Sequence, residues 1–245
     1  MPADDSVPAR RDFLRKSLSL IPVVALAGGA TPGLALATAP ATPADKAGSS
    51  AEADAYQPVF FTAEEWAFVQ AAVARLIPAD ELGPGALEAG APEFIDRQMQ
   101  TAYARGALWY MQGPFAADAA PEMSYQSRLV PQDLYRLGIA AVDRWTGQQH
   151  GKAFADLTPA QQDETLKALE SGDATLEGVP AKLFFAQLLQ NTKEGFYCDP
   201  LHGGNKRLVG WKLVNFPGAR ADFMDWVERD ERYPLPPVSI RGERG

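Results

Sequence analysis

Thiols and imidazoles, the side chains most often used for nucleophilic and near-neutral acid–base chemistry, are few in this chain. Its 245 residues include one cysteine, Cys198, and two histidines, His150 and His202. A lone thiol closes no internal disulfide, and neither zinc-type spacing nor a CxxCH haem-attachment run occurs. Two histidines leave little material for a transition-metal site. His202 and Asn205 have the side-chain types of an acid–base pair that takes a hydroxyl proton. Proton removal from an alcohol also needs a hydride acceptor, which a cofactor supplies. No GxGxxG follows a strand pattern, and no P-loop is present. Gly203-Gly204-Asn205-Lys206 lacks the spacing of a phosphate cradle and reads as a tight turn. His202 is therefore expected to hydrogen-bond loop backbone, with Gly203 and Gly204 at positive φ. No catalytic, cofactor-binding or metal residue is assigned.

A different chemistry sits at the N-terminus. Arg10-Arg11-Asp12-Phe13-Leu14-Arg15-Lys16 has the twin-arginine export pattern, with Arg10, Arg11, Phe13 and Leu14 as its signal residues. A mildly apolar stretch runs from Ser17 to Ala37, broken by Pro22, Pro32 and three glycines, and is a weak candidate for a membrane span. Ala35 and Ala37 form an A-x-A cleavage site. The alternatives are cleavage after Ala39 and retention as an anchor. The twin-arginine translocase moves folded cargo, often with a cofactor or partner already bound. Residues 38–58, rich in Ala, Pro, Asp and Ser, read as a flexible linker.

The elements that must position these residues are helical. Thr62 and Glu65 make a capping box preceded by Phe61 at the staple position, and Trp66, Val69, Val73, Leu76 and Ile77 form one stripe that Pro78 ends. A second helix starts at Ala91 with Pro92 at N1 and Phe94, Ile95 and Met99 inside. Pro131 opens a third, with Leu134, Leu137, Ile139 and Val142 inward and an end near Gly147. Thr158-Pro159-Ala160-Gln161 caps a fourth, with Leu166 and Leu169 inside and Gly172 at its end. Pro180 opens a fifth, carrying Leu183, Phe184, Leu188 and Leu189. No period-2 run demands a sheet. The expectation is one mainly α domain over 59–232 with long ordered loops, and an extended polyproline-like tail over 233–245. Hydrophobic content of 46% suffices for a core, and a net charge of -8 argues against a nucleic-acid partner.

The densest segment is Glu194-Gly195-Phe196-Tyr197-Cys198-Asp199-Pro200-Leu201-His202-Gly203-Gly204-Asn205-Lys206, followed by Gly210-Trp211-Lys212 and Phe216-Pro217-Gly218. With the Phe60-Phe61-Thr62-Ala63-Glu64-Glu65 opening and Arg75-Leu76-Ile77-Pro78, it resembles the gluconate 2-dehydrogenase subunit 3 family, over roughly residues 60–220. The resemblance implies the non-catalytic gamma subunit of a membrane-bound dehydrogenase that acts on CH–OH groups of sugars or sugar acids. Its implied partners are an FAD-containing large subunit of the glucose-methanol-choline type and a multihaem cytochrome c subunit. FAD and haem c then reside in those partners. The small chain would support folding and stability of the large one and export it to the periplasm, where the complex sits on the cytoplasmic membrane. The alternative is a free-standing periplasmic enzyme or ligand-binding protein.

An unpaired cysteine in an oxidising compartment points to a free thiol or an intermolecular bridge, so Cys198 is a candidate disulfide to the large subunit. Trp109, Tyr110 and Phe115 lie in a loop and not on an apolar stripe, which makes them candidate interface residues. Phe196, Tyr197, His202 and Trp211 join them because they belong to the segment that would hold the partner.

Overall fold

The computed structural model describes residues 56–245 apart from 117–118, 121–122 and 124. The leader residues Arg10, Arg11, Phe13, Leu14, Ala35 and Ala37, and linker residues 38–55, lie outside the described residues. The fold is mainly helical, as expected. Its helices are α1 (Ala63–Leu76), α2 (Ala91–Gln98), α3 (Pro131–His150), α4 (Pro159–Ser171), α5 (Ala181–Tyr197) and α6 (Val209–Val214). Short 3-10 turns at Phe154–Asp156, Pro200–His202, Lys206–Leu208 and Ala221–Trp226 join them. Among the described residues, β pairing is limited to isolated bridges. None of the described helices is long and apolar enough to cross a membrane.

Local sequence dictates most of these boundaries. Thr62 accepts the Glu65 N–H, and the Glu65 carboxylate accepts the Thr62 N–H. Thr158 and Gln161 repeat the arrangement at α4. Such caps contribute about 1 kcal/mol each by satisfying otherwise orphan donors. Gly172 ends α4 in the left-handed conformation, as expected.

Helix α5 is the spoke of the body and touches α1, α2, α3, α4 and α6. Phe68 of α1 meets Phe154 at 4.6 Å and Phe184 of α5 at 6.1 Å, and Tyr135 of α3 closes edge-on to Phe184 at 6.2 Å. Gly138 lets α3 approach this cluster: a Cβ there would lie 2.3 Å from the Phe184 ring. A glycine inside a helix costs about 1 kcal/mol, which the closer packing offsets.

Three details depart from the periodicity reading. Phe68, absent from the expected stripe, is buried, whereas Trp66 and Leu76 are only half-buried. Leu137 faces solvent, because the inward face of α3 runs through Leu134, Tyr135, Gly138 and Ile139. Helix α3 also continues past Gly147 to His150 and stops at Gly151 in the left-handed conformation.

The chain joins the body earlier than the linker reading placed it. Asp96 on α2 is fully buried, and its carboxylate accepts the Tyr56 hydroxyl at 2.8 Å and the N–H groups of Val59, Phe60 and Phe61 at 2.9–3.1 Å. A buried carboxylate is tolerable only when its lone pairs are satisfied. Here it orients the run into α1.

Candidate functional site

The segment from Cys198 to Gly218 forms a knot of backbone on the end of α5. Helix α5 ends at Tyr197 because the backbone turns extended at Cys198. Asp199 then caps the next turn by accepting the Leu201 N–H at 3.0 Å, with Pro200 at N1. Asp-Pro is a local signal for such a turn.

Asn205 is the centre of the knot. It is fully buried at φ 46°, in the left-handed region that Asn tolerates better than most residues. Its N–H donates to the Gly195 carbonyl at 2.8 Å and its Nδ2 donates to the Cys198 carbonyl at 2.8 Å. Its Oδ1 accepts the Gly210 N–H at 2.8 Å. One side chain thus ties the end of α5 to the start of α6. Lys206 extends the tie to the body, with its N–H on the Ala89 carbonyl at 2.9 Å and its ammonium 2.6 Å from Glu93 on α2.

The two glycines before Asn205 have different reasons to be glycine. Gly203 takes φ 96°, as expected. Gly204 does not belong to the positive-φ set. It is small because the chain passes too close to α5, and a Cβ there would sit 2.1 Å from the Gly195 carbonyl oxygen and 2.9 Å from the Cys198 sulfur.

The Cys198 thiol faces this packed interior. It is half-buried and lies 3.5 Å from the Gly195 carbonyl. Burial is the main influence on it and pushes its pKa up to about 11, although a hydrogen bond with the Gly204 backbone works the other way. A raised pKa lowers the thiolate population that would attack a disulfide or ligate a metal. A bridge to another chain would require the sulfur to turn out of this pocket.

Several expected site residues occupy other places. Phe196 is 1 % exposed and packs in the core, with its edge at the floor of a groove beside Leu213. Trp211 is likewise buried, with its indole N–H donating to the Tyr197 carbonyl at 2.6 Å. Both are expected at an interface, and from these buried positions each lines one of the two grooves beside α6. Their burial follows from α6 folding back over the end of α5, which the knot enforces. Tyr197 is exposed. The His202 ring is also exposed and makes no hydrogen bond among the described residues; its backbone N–H donates to Asp199. It therefore does not hold the loop, and Asn205 does. With its amide committed to backbone, Asn205 is unavailable as an acid–base partner for His202.

The aromatic loop lies elsewhere. Trp109 packs between Tyr103, at 5.4 Å, and Tyr125, at 4.8 Å. Tyr110 is 78% exposed, and half-buried Phe115 lines a groove with Leu129, Leu183 and Ala186. Among the described residues, the ring contacts of Trp109 and the groove beside Phe115 include no residue of the knot. Among the described residues, no cluster of three or more His, Cys, Asp or Glu side chains could hold a metal ion.

The C-terminal segment is docked and bridged to the knot. Tyr233 and Ser239 are buried, Ala219 donates to the Val238 carbonyl at 2.8 Å, and Ile240 donates to Asp199 Oδ2 at 2.8 Å. Asp199 is the functional residue that sequence reasoning missed. Its capping role was visible in Asp-Pro, but its hold on a segment 41 positions away was not.

Fold and knot together define a helical domain closed by an asparagine-centred loop and strapped by its own C-terminal segment. The gluconate 2-dehydrogenase subunit 3 family matches residues 63–218, and the chain belongs to that family. That span runs from the first residue of α1 to the end of the knot. Membership makes the chain a small subunit of a gluconate 2-dehydrogenase-type complex. No curated protein and no solved structure matches the chain significantly.

Proposed function

We propose that this chain is the non-catalytic small subunit of a membrane-bound, flavin-dependent sugar or sugar-acid dehydrogenase, and that it folds, stabilises and exports the FAD-containing large subunit. The observation that carries this reading is the coincidence, in one chain, of the subunit 3 match over residues 63–218 with Arg10-Arg11-Asp12-Phe13-Leu14 ahead of it. A twin-arginine leader serves folded cargo. The catalytic partner is of the glucose-methanol-choline type and binds the FAD, a multihaem cytochrome c takes the electrons, and the complex works on the periplasmic side of the cytoplasmic membrane. The described residues support an accessory role by what they are committed to: Asn205, Asp199 and Trp211 all hold backbone in place.

The test is expression of the large subunit with and without this chain, followed by fractionation and assay with an artificial electron acceptor. Folded, active large subunit is expected in the periplasm only when this chain is present. Replacement of both arginines (Arg10→Lys with Arg11→Lys) should leave it in the cytoplasm. Export of active large subunit without this chain would remove the proposal.

A further inference from the structure

The face around α6 combines apolar walls with basic side chains. Two grooves flank this short helix and share Lys212. One, of about 500 Å³, is walled by Trp211, Phe216, Tyr233 and Leu235 with Lys212 and Arg232 at its edge. The other, of about 410 Å³, is walled by Leu82, Val209 and Leu213 with Arg207, Lys212 and Asp80 around it. Leu82 is 78% exposed, and Leu213, Val214, Phe216 and Leu235 are each 46–53% exposed. Scattered exposed apolar residues are ordinary, but Leu82, Leu213, Phe216 and Leu235 line two grooves that meet at Lys212, which marks a binding surface.

The charges on this face select the occupant. The chain carries 31 acidic and 23 basic residues, so its surface is acidic on average. The grooves reverse that balance with Arg207, Lys212 and Arg232 against Asp80. Among the described residues, none of these three cations is ion-paired, and Arg232 meets only the amide oxygen of Asn215, at 3.1 Å. Asp80 already accepts the Leu82 N–H at 2.8 Å. Unpaired cations beside exposed apolar walls complement a surface that brings carboxylates and apolar side chains together. A second copy meeting the same face through a two-fold axis would set cations against cations. A bilayer surface presses best on a convex apolar face, whereas these walls are concave and lined by proline and aromatic rings.

We propose that this face docks a segment of the large subunit that presents apolar side chains interspersed with aspartate or glutamate. This rests on the reading of the chain as that subunit's partner. Phe216, Leu213 and Leu82 take the apolar side chains, while Arg207, Lys212 and Arg232 take the carboxylates. The knot sets the geometry, since Asn205 fixes where α6 begins.

The test uses the purified complex. Zero-length carbodiimide coupling should join Lys212 to an aspartate or glutamate of the large subunit, identified by mass spectrometry. Leu213→Ser with Phe216→Ser, and separately Arg207→Glu with Lys212→Glu, should each weaken association about tenfold or more, as loss of interface anchors does. Leu137→Ser, on exposed α3 surface, should change it less than about twofold. Circular dichroism and thermal melts confirm that the variants fold; the coupling result on the unaltered complex stands without them. A complex that forms normally but couples elsewhere, with both double variants binding as tightly as the parent, overturns this face and leaves the subunit reading intact. A chain that never co-purifies with the large subunit overturns the subunit reading itself. Coupling of Lys212 to carboxylates within residues 1–55, or to a second copy, assigns the face to another occupant and overturns the proposal. So does flotation with phosphatidylglycerol vesicles that depends on Arg207 and Lys212 while association is unaffected by their replacement.

Discussion

The helical body and the segment after it are held together by different forces. The main core runs from Phe61 to Phe196, and rings and aliphatic chains from five helices fill it. After Cys198, the buried apolar side chains are Leu208, Trp211, Pro217, Tyr233 and Pro237. Beside the ring contacts Trp211–Phe216, Phe223–Tyr233 and Trp226–Tyr233, that segment leans more heavily on hydrogen bonds made by Asn205, Asp199, Trp211 and the Val238 backbone. Apolar burial is non-directional and favours hiding every large side chain. Hydrogen bonds are directional and can hold a backbone while its apolar side chains point outward. A surface made for a partner is better built in the second way, and Leu213, Val214 and Phe216 are exposed where the second way operates.

Substitutions on either side of Cys198 test this contrast. Phe184→Ala should give the largest effect, a loss of about 3–5 kcal/mol from lost burial and an unfilled cavity. Because Phe184 touches both α1 and α3 residues, the whole domain should melt as one unit at lower denaturant. Asn205→Ala should cost about 2–4 kcal/mol by stranding the Cys198 carbonyl and the Gly210 N–H. Its signature differs, because amide exchange should accelerate first in residues 199–218 while the α1 and α5 amides stay protected. Uniform loss of protection in the Asn205 variant would show that knot and body are one cooperative unit, and the contrast would fall.

The sequence showed the body better than the knot, for a physical reason. Capping boxes, N1 prolines and apolar spacing are local, so the bounds of α1, α2 and α4 could be read from Thr62, Pro92, Thr158 and Gly172. Side-chain direction was less legible: Leu137 fits an apolar stripe, yet Gly138 beside it draws α3 onto Phe184 and leaves Leu137 outside. The roles of Asn205 and Asp96 depend on segments far apart in the chain. Asp96 reads as an ordinary polar helix residue until Phe60 and Phe61, 35–36 positions earlier, lay their N–H groups on it. Phe196 and Trp211 read as contact residues from the distinctive segment around them, yet most of each ring is buried and only an edge reaches a groove. That segment is distinctive largely because it must fold back on itself.

Cys198 sits at the boundary between the two regions, and its reactivity reports how tightly the knot closes. A pKa moved from 9.0 to about 11 lowers the thiolate population about a hundredfold at pH 8. A more basic thiolate is also more nucleophilic, with a Brønsted slope of about 0.4–0.5, so the net alkylation rate should fall about tenfold below that of the unfolded chain. Iodoacetamide labelling with and without denaturant measures the ratio, and Asn205→Ala should bring it towards one. The same shift bears on stability. Between pH 9.0 and about 11 the folded state binds more protons than the unfolded state, so stability should decline as pH rises through that window. On non-reducing gels of the complex, a band containing both subunits would mean that partner binding turns the thiol outward.

The smallest effect is expected where the helical body borrows the device of the knot. Asp143 on α3 accepts the Phe154 N–H at 2.9 Å and so positions the ring that meets Phe68. Burial is the leading influence on this carboxyl and raises its pKa, against the lowering effect of the Phe154 hydrogen bond. With the folded pKa above the unfolded one, the folded state binds the proton more tightly, and ionisation subtracts from stability as pH rises through the acid range. Asp143→Asn keeps an oxygen for the Phe154 N–H and removes the charge. The group is partly solvated, so screening limits the gain to roughly a few tenths of a kcal/mol at pH 7. Below the ordinary carboxyl pKa of 3.8 the two proteins should be equally stable. Urea melts across that range measure the difference. A variant less stable than the parent at pH 7 would show that the charge itself strengthens the Phe154 bond, and that directional hydrogen bonding matters in the body as it does in the knot.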